Sequence, residues 1–170
     1  MDDIVDIFAE IVPGRGAAGF KLGQSIREIK LAISNLRSWE QGSNVSLYEA
    51  IQSSPGWLSY ARDHGVAGDV LYFGGGMIEL HFSAKGVLFN IYVSHGYVGS
   101  LWGGVKVGSA LSLVNEQCQL EYDEGDEMHY PAEGSSIVGV AFYAEELPLT
   151  VAPDQIIAGI SVHDWSMNNQ

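Results

Sequence analysis

The chain is 170 residues long, 46% hydrophobic and only 17% charged, a mix that buries a core without staples and excludes a disordered or fibrous chain. Eight basic against 21 acidic residues leave a net charge of −13, which repels the phosphates of nucleic acid and anionic membrane and attracts a basic protein. A lone cysteine, Cys118, excludes an internal disulfide, no apolar run approaches the ~18 residues of a membrane span, and Met1-Asp2-Asp3 lacks the positive charge of a signal peptide, so a cytoplasmic location is expected.

In chain order, Ile4, Val5, Ile7, Phe8, Ile11 and Val12 recur at helical spacing and predict an amphipathic N-terminal helix over 2–12, stopped by Pro13-Gly14. Gly19-Phe20-Lys21-Leu22-Gly23 reads as a short extended turn. Ser25 and Glu28 then spell a capping box for a helix with Ile26, Ile29, Leu31, Ile33 and Leu36 among its apolar positions. Residues 45–51 suggest a second short helix, Ser53-Ser54-Pro55-Gly56 a turn, and 57–62 a strand. From residue 68 the period changes to two. Residues 69–73, 78–82 and 87–93 predict three strands of an antiparallel meander, joined by the turns Gly74-Gly75-Gly76 and Ser83-Ala84-Lys85-Gly86.

The opening then recurs. Gly104-Val105-Lys106-Val107-Gly108 matches Gly19-Phe20-Lys21-Leu22-Gly23 position for position, and Leu111 and Val114 stand where Ile26 and Ile29 stood. A helix over about 109–117 follows, then strands at 119–122, 137–143 and 156–164. The expected fold class is α+β. One compact domain, 1–170, is built of two repeat-like helix-plus-antiparallel-sheet units, 13–100 and 101–165, possessing separate sheets or sharing one continuous sheet, with an N-terminal helix in front. Ile26, Ile29, Leu80, Phe82, Leu88, Ile91, Val140 and Phe142 are the expected core.

Catalytic motifs are sparse. Gly14-Arg15-Gly16-Ala17-Ala18-Gly19 spells G-x-G-x-x-G, but a dinucleotide site needs a strand before it and a helix opening at its last glycine, whereas the next helix begins near Ser25. The five histidines, His64, His81, His95, His129 and His163, form no H-E-x-x-H pair, and Cys118 has no C-x-x-C mate, so no metal or cofactor is expected. There is no G-x-S-x-G elbow, and nothing marks two carboxylates as buried and shifted for acid–base work; the expectation is no enzyme. The sharpest charge feature is Glu121-Tyr122-Asp123-Glu124-Gly125-Asp126-Glu127, read as an acidic loop between strands, with Tyr122 and Tyr130 supplying rigid contact area beside it. It lacks the alternating ligands and twelfth-position glutamate of an EF-hand.

Pro-Gly-x-Gly leading into Gly19-Phe20-Lys21-Leu22-Gly23-Gln24-Ser25-Ile26-Arg27-Glu28-Ile29, with its later echo, resembles bacterial immunity proteins of polymorphic or contact-dependent growth inhibition toxin systems. The tandem layout is also similar to the β-lactamase inhibitory protein class. The resemblance implies a protein that binds a cognate toxin domain and blocks it without chemistry of its own. A basic nuclease is the expected toxin, since an acidic inhibitor imitates the phosphate backbone, though a metal-dependent or membrane-acting toxin fits nearly as well. Tyr122, Asp123, Glu124, Asp126, Glu127 and Tyr130 are the candidate toxin-binding residues. The alternative is a small-ligand-binding domain that uses an aromatic sheet face carrying Trp57, Tyr60, Tyr72 and Trp102.

Overall fold

The computed structural model describes residues 4–62 and 68–169. Over these residues it is a mixed α+β fold with three helices and two sheets. A two-stranded hairpin joins β1 (Gly16–Ala17) to β2 (Phe20–Lys21). Helix α1 (Ile26–Ala32) is followed by β3 (Arg37–Trp39), helix α2 (Leu47–Gln52) and β4 (Trp57–Tyr60). Then come β5 (Val70–Phe73), β6 (Ile78–Phe82) and β7 (Leu88–Ser94). The second part holds helix α3 (Ser112–Gln117), β8 (Leu120–Asp123), β9 (Met128–Pro131), β10 (Val140–Tyr143) and β11 (Gly159–His163), closed by a 3-10 turn over Trp165–Asn169.

Strands β3 to β11 form one nine-stranded sheet in the order β3-β4-β5-β6-β7-β11-β10-β9-β8. The order reads outward from a central seam where β7 pairs with β11, from Asn90↔His163 to Ser94↔Gly159. On either side of that seam four antiparallel strands run β7-β6-β5-β4 and β11-β10-β9-β8; β3 adds to the first set alone and lies parallel to β4. The parallel pairing departs from the all-antiparallel expectation. The crossover containing α2 makes it possible, since a parallel neighbour needs a long connection.

The two stretches that match in sequence also match in hydrogen bonding. The Gly23 amide donates to the Leu88 carbonyl and the Gly108 amide to Ile157, both at 2.8 Å. Ile26 donates to Gly86 (2.8 Å) as Leu111 does to Gln155 (2.9 Å), and Leu88 donates back to Gln24 as Ile157 does to Ser109, both at 2.9 Å. Gly23 and Gly108 carry φ of 89° and 90°, left-handed values that favour glycine. Each stretch thus ties the start of its helix to the strand that runs into the seam.

The helices are short because their signals are local. Ser25 accepts from the Arg27 amide (3.2 Å) while Glu28 accepts from the Ser25 amide (3.3 Å), and Ser46 and Glu49 cap α2 reciprocally in the same way. Helix α1 ends at Ala32, short of the expected Leu36, because Ile33 turns extended (ψ 131°) and Asn35 enters the left-handed region (φ 57°). The expected N-terminal helix is overturned: residues 4–12 form turns and irregular backbone. Their amides and carbonyls pair outside the segment, Asp6 donating to Ala18 (3.1 Å), Ile11 to Ser100 (3.0 Å), and Val98 and Gly99 both to the Ile7 carbonyl (3.0 Å). These long-range bonds seat Val5 and Ile11 in the core, a burial that outweighs an isolated helix of about three turns.

One sheet face carries the main core. Leu71, Leu80, Ile91, Val162 and Val140 lie in register across it, joined by Ile29 of α1 and Val114 of α3. Of the expected core, Ile29, Leu80, Phe82, Leu88, Ile91, Val140 and Phe142 are buried, and Ile26 is half-buried against them. On the opposite face a smaller cluster of Leu58, Val70 and Tyr72 packs with Ala50, Leu47 and Ile51, so α2 covers only the β4–β5 end. No helix among the described residues is long and apolar enough to cross a membrane.

Candidate functional site

The face opposite the core is left partly open in the middle of the sheet. Strands alternate, so the polar positions of β6 and β7 point there: Glu79 stands opposite Tyr92, and His81 opposite Asn90. The seam adds Ser161 beside Tyr92 and His163 beside Asn90. Helix α2 closes one end of this face, and the β8–β9 hairpin borders the other. The Trp165 turn stacks its indole on the His163 ring at 4.3 Å. Between them lies a cleft of about 320 Å³ lined by Glu79, His81, Asn90, Tyr92, Asp126, Met128, Tyr130, Tyr143, Ser161 and Trp165.

Hydrogen bonds fix the floor. Glu79 Oε2 lies 3.1 Å from His81 Nε2, and Arg62 Nη2 lies 3.2 Å from His81 Nδ1. Ser161 donates to Asn90 Oδ1 at 2.8 Å, which leaves its oxygen to accept from His163 Nδ1 at 3.0 Å and sets the proton of the neutral imidazole on that nitrogen. Burial pushes the His163 pKa down to about 4, so the ring is neutral at pH 7. The Tyr130 hydroxyl donates to Asp126, and the Tyr143 hydroxyl to Glu146 at 3.0 Å. Burial, then the nearby Glu79 charge, raises Tyr72 to about 12 and also raises Tyr92; burial and the Asp126 bond raise Tyr130. Phenolate chemistry is thereby disfavoured, and the cleft presents carboxylates, neutral phenols and ring faces.

The six expected toxin-binding residues come together on one hairpin, but it is not a loop throughout. Tyr122 and Asp123 belong to β8 and Tyr130 to β9, a strand the sequence did not reveal, leaving 124–127 as the turn. Asp123 accepts from the Gly125 amide (2.7 Å) and Asp126 from Met128 (3.2 Å), which orders the tip. The hairpin splits the two tyrosines between faces. Tyr130 is paired with Glu121 on the open face, whereas Tyr122 is paired with His129 on the core side, its ring 5.0 Å from that imidazole. Asp126 and Tyr130 reach the cleft; Asp123, Glu124 and Glu127 are exposed.

The four aromatics of the ligand-binding alternative are not brought together. Trp57 is 1% exposed and meets Phe20 edge-on at 5.8 Å inside the main core. Tyr60 and Tyr72 lie under α2, and Trp102 sits in a turn at 38% exposure. The glycines of Gly14–Gly19 serve the β1–β2 hairpin: a Cβ on Gly16 would lie 2.3 Å from the Phe20 carbonyl. That hairpin borders a second cavity of about 590 Å³ with Arg15 and Lys21. Cys118 is half-buried, and burial raises its pKa, which keeps it a thiol at neutral pH. His64 lies outside the described residues. Among the described residues no three His, Cys, Asp or Glu side chains are grouped to hold a metal ion.

Glu79, His81, Asn90, Tyr92, Tyr143, Ser161 and Trp165 were missed by sequence reasoning. For all but Trp165, which opens the 3-10 turn after β11, the signal was the polar alternate position in strands whose other positions are apolar. That signal marks an outward face, but only the β7–β11 pairing shows that the outward faces of distant strands meet. Compared with known proteins, the chain matches no family model, and no curated protein or solved structure matches it.

Proposed function

We propose that the chain is a cytoplasmic immunity protein that binds a cognate bacterial toxin domain of basic character, a nuclease foremost, and occludes its active site. The observation that carries this reading is the open sheet face: tyrosines, a tryptophan and carboxylates lie on a broad, hydrogen-bonded floor beside an acidic hairpin. Aromatic side chains on a rigid strand platform supply contact area at low entropic cost, and the net charge of −13 steers a basic partner toward it. The phenols and the neutral His163 suit recognition better than proton transfer at pH 7. The matched hydrogen bonding of the two halves supports reading 13–100 and 101–165 as repeat-like units of one domain, the layout that the resemblance to immunity and inhibitory proteins implies.

The test is a binding titration with the toxin-like protein encoded beside this chain. Wild type is compared with the fourfold variant Asp123→Asn, Glu124→Gln, Asp126→Asn, Glu127→Gln at low and high salt. Tight 1:1 binding is expected, with association slowed by salt and by the variant, because the screening length is about 10 Å at 0.1 M. Equal association rates and affinities for both proteins would place the hairpin outside the interface. No binding at all would overturn the immunity reading.

A further inference from the structure

Resting on that reading of a basic protein partner, we infer that the cleft between the β8–β9 hairpin and the Trp165 turn receives one arginine side chain projecting from the partner. The lining carries two carboxylates and no cation, and its donors are all neutral groups. Glu79 and Asp126 place carboxylates across the floor from each other. The phenol protons of Tyr130 and Tyr143 are already given to Asp126 and Glu146, and the Ser161 proton to Asn90. Among the described residues no lysine or arginine lines the cleft. What remains for an occupant is carboxylate and phenol oxygens and the ring faces of Tyr92, Tyr130 and Trp165, beside the neutral donors of the Tyr92 hydroxyl, the Asn90 amide and the Trp165 indole, none of which supplies a positive charge to hold an anion.

The complement of such a lining is a flat cation with many donors. A guanidinium has five N–H donors in a plane, stacks on aromatic faces and bonds carboxylates in pairs. An ammonium has three donors and no plane, so lysine uses less of the site. An anionic occupant meets Glu79, Asp126 and the hairpin carboxylates, while the guanidinium of Arg62 is already turned toward His81 at 3.2 Å. That contact also shows how this face accommodates a guanidinium: Arg62 approaches one nitrogen of His81 while Glu79 holds the other at 3.1 Å.

The probe is Nα-acetyl-arginine N-methylamide, titrated into the full chain and followed by NMR on the Trp165 indole N–H and the tyrosine rings, with the lysine and citrulline analogues as controls. The arginine analogue is expected to shift Trp165, Tyr92 and Tyr130; citrulline, of the same shape without the charge, should shift none of them. The Glu79→Gln, Asp126→Asn double variant should bind the arginine analogue at least about tenfold more weakly. Both substitutions keep shape, and the amide oxygen introduced by Asp126→Asn still accepts from Tyr130; an unchanged urea midpoint verifies the fold. Equal responses to arginine and citrulline or lysine, shifts confined to other surfaces, or unchanged affinity in the double variant would each overturn the assignment. If the arginine analogue binds while the neighbouring gene product does not, the immunity reading falls and the cleft stands. If the toxin domain binds both proteins equally and the analogue shifts nothing in the cleft, the cleft falls and the immunity reading stands.

Discussion

Gly159→Ala tests whether the open face is built as described. A Cβ at Gly159 would lie 1.8 Å from the Tyr92 hydroxyl oxygen and 2.2 Å from Cζ, so the ring has to leave its place on the seam. The backbone itself tolerates alanine, since Gly159 is an extended strand residue, and losing glycine's freedom in the unfolded chain contributes about 0.4–1 kcal/mol in favour of the variant. Against this stands an overpacking cost of about 1–3 kcal/mol for forcing a packed ring aside. At the middle of both ranges the net loss is about 1.3 kcal/mol, or a melting temperature lowered by about 3–5 °C at this size. Urea denaturation should show a lower midpoint at unchanged slope. The decisive measurement is the double-mutant cycle. Once Tyr92→Ala has removed the ring, adding Gly159→Ala should cost nothing further. Additive losses, or a Gly159→Ala protein as stable as wild type, would refute the placement of Tyr92 over Gly159 and with it the floor of the cleft.

Two further outcomes follow from the same structure. Phe82→Ala, in the β6 core position at 2% exposure, should lower stability by about 3–5 kcal/mol in urea denaturation; an unchanged midpoint would mean that β6 is phased to the wrong face. His163, whose folded pKa is held near 4 by burial, lies below the ordinary imidazole value of 6.5, so the unfolded chain takes up its proton first as pH falls. Its contribution is present above pH 6.5 and is lost between 6.5 and about 4. The urea midpoint of His163→Gln should therefore fall less than that of wild type between about pH 7 and pH 5, and parallel pH profiles would contradict a buried neutral ring.

Much of the framework was legible because its signals are local. The Ser25–Glu28 capping box, the short helix near 45–51, the 78–82 strand and the glycine–lysine stretches with their helices lie where periodicity and turn chemistry put them. Errors arose where long-range pairing outweighed local preference. The helical spacing of residues 4–12 is real, but the same apolar residues fill the core from irregular backbone bonded to 18 and 97–100. Strand β9 was hidden because Met128-His129-Tyr130-Pro131 ends in proline and follows five carboxylates, a composition that reads as loop; its place against Phe142 comes from the sheet. The acidic residues were visible as charge, while the cleft they border depends on β7 meeting β11, which no spacing in the chain encodes.

That meeting also sets an order of events during synthesis. In the large sheet every other neighbouring pair of strands is consecutive along the chain, so each can zip as it emerges. Strand β7 alone waits for a partner made at the far end. Until Gly159–His163 leaves the ribosome, the seven-residue strand Leu88–Ser94 stands as a bare edge, with Leu88, Phe89, Ile91 and Val93 along it. An unpaired apolar edge is a template for another nascent chain, so the half-made protein carries its greatest aggregation hazard at what becomes the middle of the finished sheet.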